Sequence, residues 1–90
     1  MNNALLKELV GKAVLIRTVT VYHVGNLDAI DDTTIQLSRA SWVADTGRFN
    51  VAIATGKLNE VECFTDPVLV SRGAIVDITV WNHPLPTTSK

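Results

Sequence analysis

A single cysteine, Cys63, means that no internal disulfide can form, so this 90-residue chain cannot be a disulfide-stapled scaffold. Its two histidines, His23 and His83, stand alone; with one cysteine they make no metal-ligand spacing, and no metal or other cofactor is expected. No apolar run approaches the ~20 residues that span a bilayer, and the polar start Met1-Asn2-Asn3 is unlike a secretory signal, so a cytoplasmic protein is expected. No cluster of one charge sign occurs. Eight basic and nine acidic side chains are scattered singly, for a net charge of −1. Duplex DNA binding, which leans on a basic patch and many phosphate contacts, is not expected. Glycine-rich phosphate loops are absent, as is any serine or cysteine nucleophile with a base close in sequence.

What the chain does have is apolar material. It is 47% hydrophobic, which is ample for one small domain. The surplus points to a subunit interface, since obligate interfaces resemble a core cut in half.

The pattern opens on a short helix. Asn3 is placed to cap it, Leu5, Leu6 and Leu9 share a face, and Gly11 ends it. Ala13 to Tyr22 is β-branched and nearly continuous, reading as a strand covered on both faces. Gly25 interrupts the next strand, the mark of a bend or bulge. Asp31-Asp32-Thr33-Thr34 is a turn, and Ile35, Leu37 and Ala40 continue as a third strand. Residues 41–66 read as irregular, with a short helix capped by Asp45 in which Phe49, Ala52 and Ile53 share a face before Gly56. Asp66-Pro67 turns into two last strands, Val68 to Ser71 and Val76 to Val80, and residues 83–90 read as an extended tail, free to lie along a neighbouring subunit.

Two stretches about forty residues apart stand out: Gly25 to Leu37, a strand, acidic turn and strand, and Val68 to Ile78, an apolar strand broken at Arg72-Gly73. Taken singly, these residues read better as an ordinary turn, an ordinary bulge and a solvent-facing glutamine. Together, behind a short helix, they resemble the two motifs of Sm-like proteins, most closely small ones carried by bacteriophages. Gly25, Leu27, Asp32, Ile35 and Gln36 fall on the first motif, and Arg72, Gly73 and Val76 on the second. The departures are Gln36 for the usual Asn, Ala74 and Ile75 for polar residues, and an insertion at 41–66.

The resemblance implies a mainly β Sm-like fold: a helix, then a strongly bent five-stranded small barrel over residues 1–82, followed by the tail. It implies a closed homo-oligomeric ring of five to seven subunits in which the two motifs meet at the pore. It implies a binding protein rather than an enzyme, holding single-stranded RNA or a nucleotide, and a phage protein working in the host cytoplasm. The expected site is Asp32, Thr34, Gln36, Arg72 and Gly73. Gln36 can both donate and accept at a base edge, and Arg72 can stack on a base or fork onto a phosphate. Asp32 would orient Arg72 or the turn, and Thr34 would face the ligand. Two other readings remain open: a purely structural ring that docks a protein, marked by an exposed aromatic patch around Trp42, and a sponge for a small nucleotide signal.

Asp45-Thr46-Gly47 spells the aspartic-protease triplet, but bulky Arg48 follows where a small residue is needed, which favours capping by Asp45. Trp42 and Phe64 are expected to pin the 41–66 segment onto the barrel or the next protomer, and His23 to lie at a subunit contact.

Overall fold

The structure is a computed structural model and describes residues 3–90; Met1 and Asn2, on which the N-terminal reading begins, lie outside the described residues. The chain runs α1 (Ala4–Lys7), β1 (Ala13–Thr18), β2 (Tyr22–Ile30), β3 (Thr34–Asp45), α2 (Phe49–Thr55), β4 (Glu60–Cys63), β5 (Val68–Ser71), a 3-10 turn (Arg72–Ala74) and β6 (Ile75–Val80). Among the described residues the strands form one antiparallel sheet of order β4-β3-β2-β1-β6, with β5 also paired to β3. No helix among the described residues is long and apolar enough to cross a membrane.

Gly25 and Arg39 bend the sheet. Val24 pairs with Ser41 and Asn26 with Ser38, so Gly25 alone faces both Arg39 and Ala40. Arg39 takes up the extra residue in the left-handed region, at φ 47°. A Cβ on Gly25 would stand 2.9 Å from Ala40 Cα, so only glycine lets the strands close to this distance. Beyond the bulge β3 changes the face it buries. Ile35, Leu37 and Ala40 join Val14, Ile16 and Leu27 in one apolar cluster, while Val43 joins Leu15, Val24, Val61 and Trp81 in a second. Both faces of β1 are therefore covered, which is why Val14, Leu15 and Ile16 form an unbroken apolar run.

Five strands stand where the sequence places them, with three adjustments. β1 ends at Thr18 rather than Tyr22, because the Thr18 hydroxyl donates to the Val21 carbonyl and accepts from the Val21 N–H, closing a turn. β3 continues to Asp45 and pairs with a sixth strand, β4, so much of the segment read as irregular is a long hairpin with α2 at its tip. Its alternation was hidden by the bulge at Arg39. α2 begins after Arg48, without a side-chain cap. Asp45 instead accepts from the Gly47 N–H at 2.8 Å, which corrects its assignment as the helix cap. On α2, Ala52 is buried while Phe49 and Ile53 remain partly exposed.

α1 is a single turn. Asn3 stands at its N-cap position without capping it, and Leu5 points to solvent while Leu6 and Leu9 pack on the first cluster. The tail lies on its own chain rather than being left for a neighbour. Val61 and Lys90 exchange backbone hydrogen bonds of 3.0 and 2.9 Å, and the Cys63 N–H donates to Ser89 Oγ. His83 Nε2 donates to the Ile53 carbonyl at 2.7 Å, packed so closely over Gly56 that a Cβ there would come within 2.6 Å of its ring.

Candidate nucleic-acid interface

The two stretches singled out in the sequence meet in space. Asp31 builds the turn between β2 and β3: its carboxylate accepts from the backbone N–H groups of Thr33 and Thr34 at 3.0 and 2.7 Å. Those bonds, Thr33 first, hold the Asp31 carboxyl below its usual range, and the Arg72 charge adds to the effect. The Arg72 N–H then donates to the Thr33 carbonyl at 2.9 Å, which joins the Arg-Gly turn to the acidic one. Arg72 Nη1 donates to the Asp31 carbonyl and, at 2.9 Å, to Asn3 Oδ1.

The orienting carboxylate is thus Asp31 and not Asp32. Sequence reading missed Asp31 because adjacent aspartates in a turn are indistinguishable until backbone directions are known. Asn3 was read only as a cap, and no sequence signal joins it to Arg72.

The five expected residues divide between two depressions. Asp32, Arg72 and Gly73, with Thr33 and Ser71, line one of about 520 Å³. Thr34 and Gln36 line a smaller one of about 100 Å³ with Leu69 and Asp31. Across the β3–β5 ladder Thr34 faces Ser71 and Gln36 faces Leu69. A Cβ on Gly73 would meet nothing nearer than Ser71 Oγ at 3.7 Å, so the missing side chain keeps the larger depression open rather than relieving strain. Together these groups offer a cation, an amide, hydroxyls and a carboxylate along one edge, a donor and acceptor set that suits a base or a phosphate-bearing sugar.

The aromatic residues lie elsewhere. Trp42 and Phe64 are 40% and 41% exposed on the outer face of the hairpin, so neither is buried against the barrel. His23 lies among them, half-buried and stacked on Phe64. Trp81 is the buried tryptophan, its ring T-shaped to that of His83 with centroids 5.0 Å apart.

The bent antiparallel sheet behind a short helix is the Sm fold. Two solved structures share it: a heptameric archaeal Sm protein and the P. aerophilum SmAP1 heptamer. The first matches at TM-score 0.63 and 19% identity, over 86% of this chain and 96% of that one. The second matches at TM-score 0.64 and 18% identity, over 89% and 95%. No protein-family model matches the chain, and no curated protein resembles it in sequence.

Proposed function

We propose that this chain assembles head-to-tail into a closed homo-oligomeric ring and binds single-stranded RNA or a nucleotide, without enzymatic activity, through Asp32, Thr34, Gln36, Arg72 and Gly73. The observation that carries the ring is a pair of open strand edges. Among the described residues nothing pairs with the outer edge of β6, and β5 pairs only with β3. Leu69 on β5 and Val76 on β6 are 67% and 54% exposed, apolar side chains on the two strands with open edges. The tail already covers β4 at Val61 and Cys63, which leaves β5 as the edge for a neighbour's β6. Pairing these edges around a rotation axis removes both, and a rotation that closes gives a ring. Both similar structures are heptamers, which supports a ring of five to seven subunits.

In such a ring the joined turns would repeat around the axis. Repetition matters here because the basic residues stand singly along the sequence, so a few arginines presented together replace one extended cationic surface.

Native mass spectrometry of the protein purified from cells, with and without nuclease, tests both parts. The expected result is a closed ring carrying nucleotide or RNA mass, reduced in Gln36→Ala and Arg72→Ala. Arg72 also ties turns together, so Gln36→Ala, whose backbone pairing is unaffected, separates binding from folding. A ring without added mass would refute the binding site; a monomer would refute the ring. The exposed aromatic patch around Trp42 favours a second reading, in which the ring also docks a protein.

A further inference from the structure

On the outer face of the hairpin His23, Trp42 and Glu62 stand in a row, paired in register across β2, β3 and β4. Phe64 folds over the row to stack on His23, with ring centroids 6.1 Å apart and planes 15° from parallel. With Cys63 these side chains line a depression of about 320 Å³. Two large rings, Trp42 and Phe64, are 40% and 41% exposed there. The inner faces of these strands already have their core, so nothing in the fold requires aromatics at these positions.

Aromatic faces can stack on bases or hold a cation, and charge decides between them. Base-stacking surfaces follow a nucleic-acid backbone with Lys and Arg. This depression has no Lys or Arg in its lining and carries Glu62 instead. Glu60, exposed two residues earlier on the same strand, adds a second carboxylate nearby. Phosphates would be repelled. A cation gains twice, from the electron-rich ring faces and from the carboxylate. His23 supports the same choice: burial holds its pKa below the ordinary 6.5, so it faces the depression as a neutral ring.

We propose that His23, Trp42, Glu62 and Phe64 form a binding site for an organic cation, the guanidinium or ammonium of an arginine or lysine side chain presented by a partner protein. The site is a shallow feature on an open sheet face, too exposed to enclose a free small molecule. A side chain delivered on a polypeptide brings further contacts with the hairpin. The site is separate from the turn cluster and stands whether or not that cluster binds RNA.

The protein labelled with 5-fluorotryptophan gives one 19F signal from Trp42 and one from buried Trp81, an internal reference. A short acetylated, amidated arginine peptide should shift the Trp42 signal saturably and leave Trp81 in place. The isosteric citrulline peptide should give little shift. Glu62→Gln should weaken binding roughly threefold. Phe64→Leu, which keeps apolar volume but removes the ring, should weaken it roughly threefold to thirtyfold. An equal response to citrulline, or no response to arginine because a neighbouring protomer covers Trp42, would overturn the proposal. Tighter binding of tetramethylammonium than of the peptide would overturn the partner-protein source. A larger shift from single-stranded RNA would overturn the cation chemistry.

Discussion

Arg72 donates its backbone N–H to the carbonyl of Thr33 at 2.9 Å, and its side chain reaches past that bond to the Asp31 carbonyl and to Asn3. One residue thus ties the acidic turn, the Arg-Gly turn and the first helix together. This makes Arg72 a structural residue as well as a candidate ligand contact, and a fair test of the site must separate the two roles.

The two adjacent aspartates separate cleanly. Asp31→Ala removes the acceptor of two backbone N–H groups and should lower the melting temperature, whereas Asp32→Ala should leave it unchanged. The Asp31 carboxyl is held below its ordinary 3.8, so the folded state binds its proton less readily than the unfolded chain. Its contribution is complete above that value and lost as pH falls through the folded pKa. Thermal melts of wild type and Asp31→Ala should converge in strong acid; a constant gap would place the stabilisation elsewhere.

His23 titrates in a different window. Burial holds its pKa below 6.5, so the unfolded chain takes up this proton first as pH falls. Stability should therefore decrease from pH 7.5 to pH 5, and His23→Gln should flatten that slope. Urea denaturation across this range reads the effect, and an unchanged slope in the variant would assign it to other groups.

The two glycines of the resemblance should behave oppositely. Gly25→Ala forces a Cβ to within 2.9 Å of the Ala40 backbone and should cost about 1–3 kcal/mol. Gly73→Ala has room, with its nearest neighbour at 3.7 Å, and should stay within about 0.5 kcal/mol of wild type while narrowing the larger depression. Equal losses at the two sites would contradict this geometry.

Trp81 joins the barrel to the tail. It is 3% exposed, donates its backbone N–H to the Ala13 carbonyl at 2.8 Å and its indole N–H to the Pro84 carbonyl at 3.4 Å, and packs in the second cluster. Trp81→Ala should cost about 3–5 kcal/mol, a large share of the total stability of a small domain. Hydrogen exchange should then quicken at Val61 and Lys90, which pair with each other; unchanged protection there would mean that the tail docks without Trp81.

Local chemistry carried much of the fold into the sequence. The unbroken run at Val14-Leu15-Ile16, the glycine at position 25, the Asp-Thr turn and the Arg-Gly break each have a short-range cause, and each lies where its residues require. The length of β3 did not, because one left-handed residue, Arg39, shifts the burial parity and disguises the second half of the strand. Nor did the partners of Arg72, the choice of Asp31 over Asp32, or the return of the tail to β4. These depend on where distant backbone donors and acceptors come to rest. Side-chain type and spacing determine which elements this chain can form; closure of the sheet around Gly25 decides which of them touch.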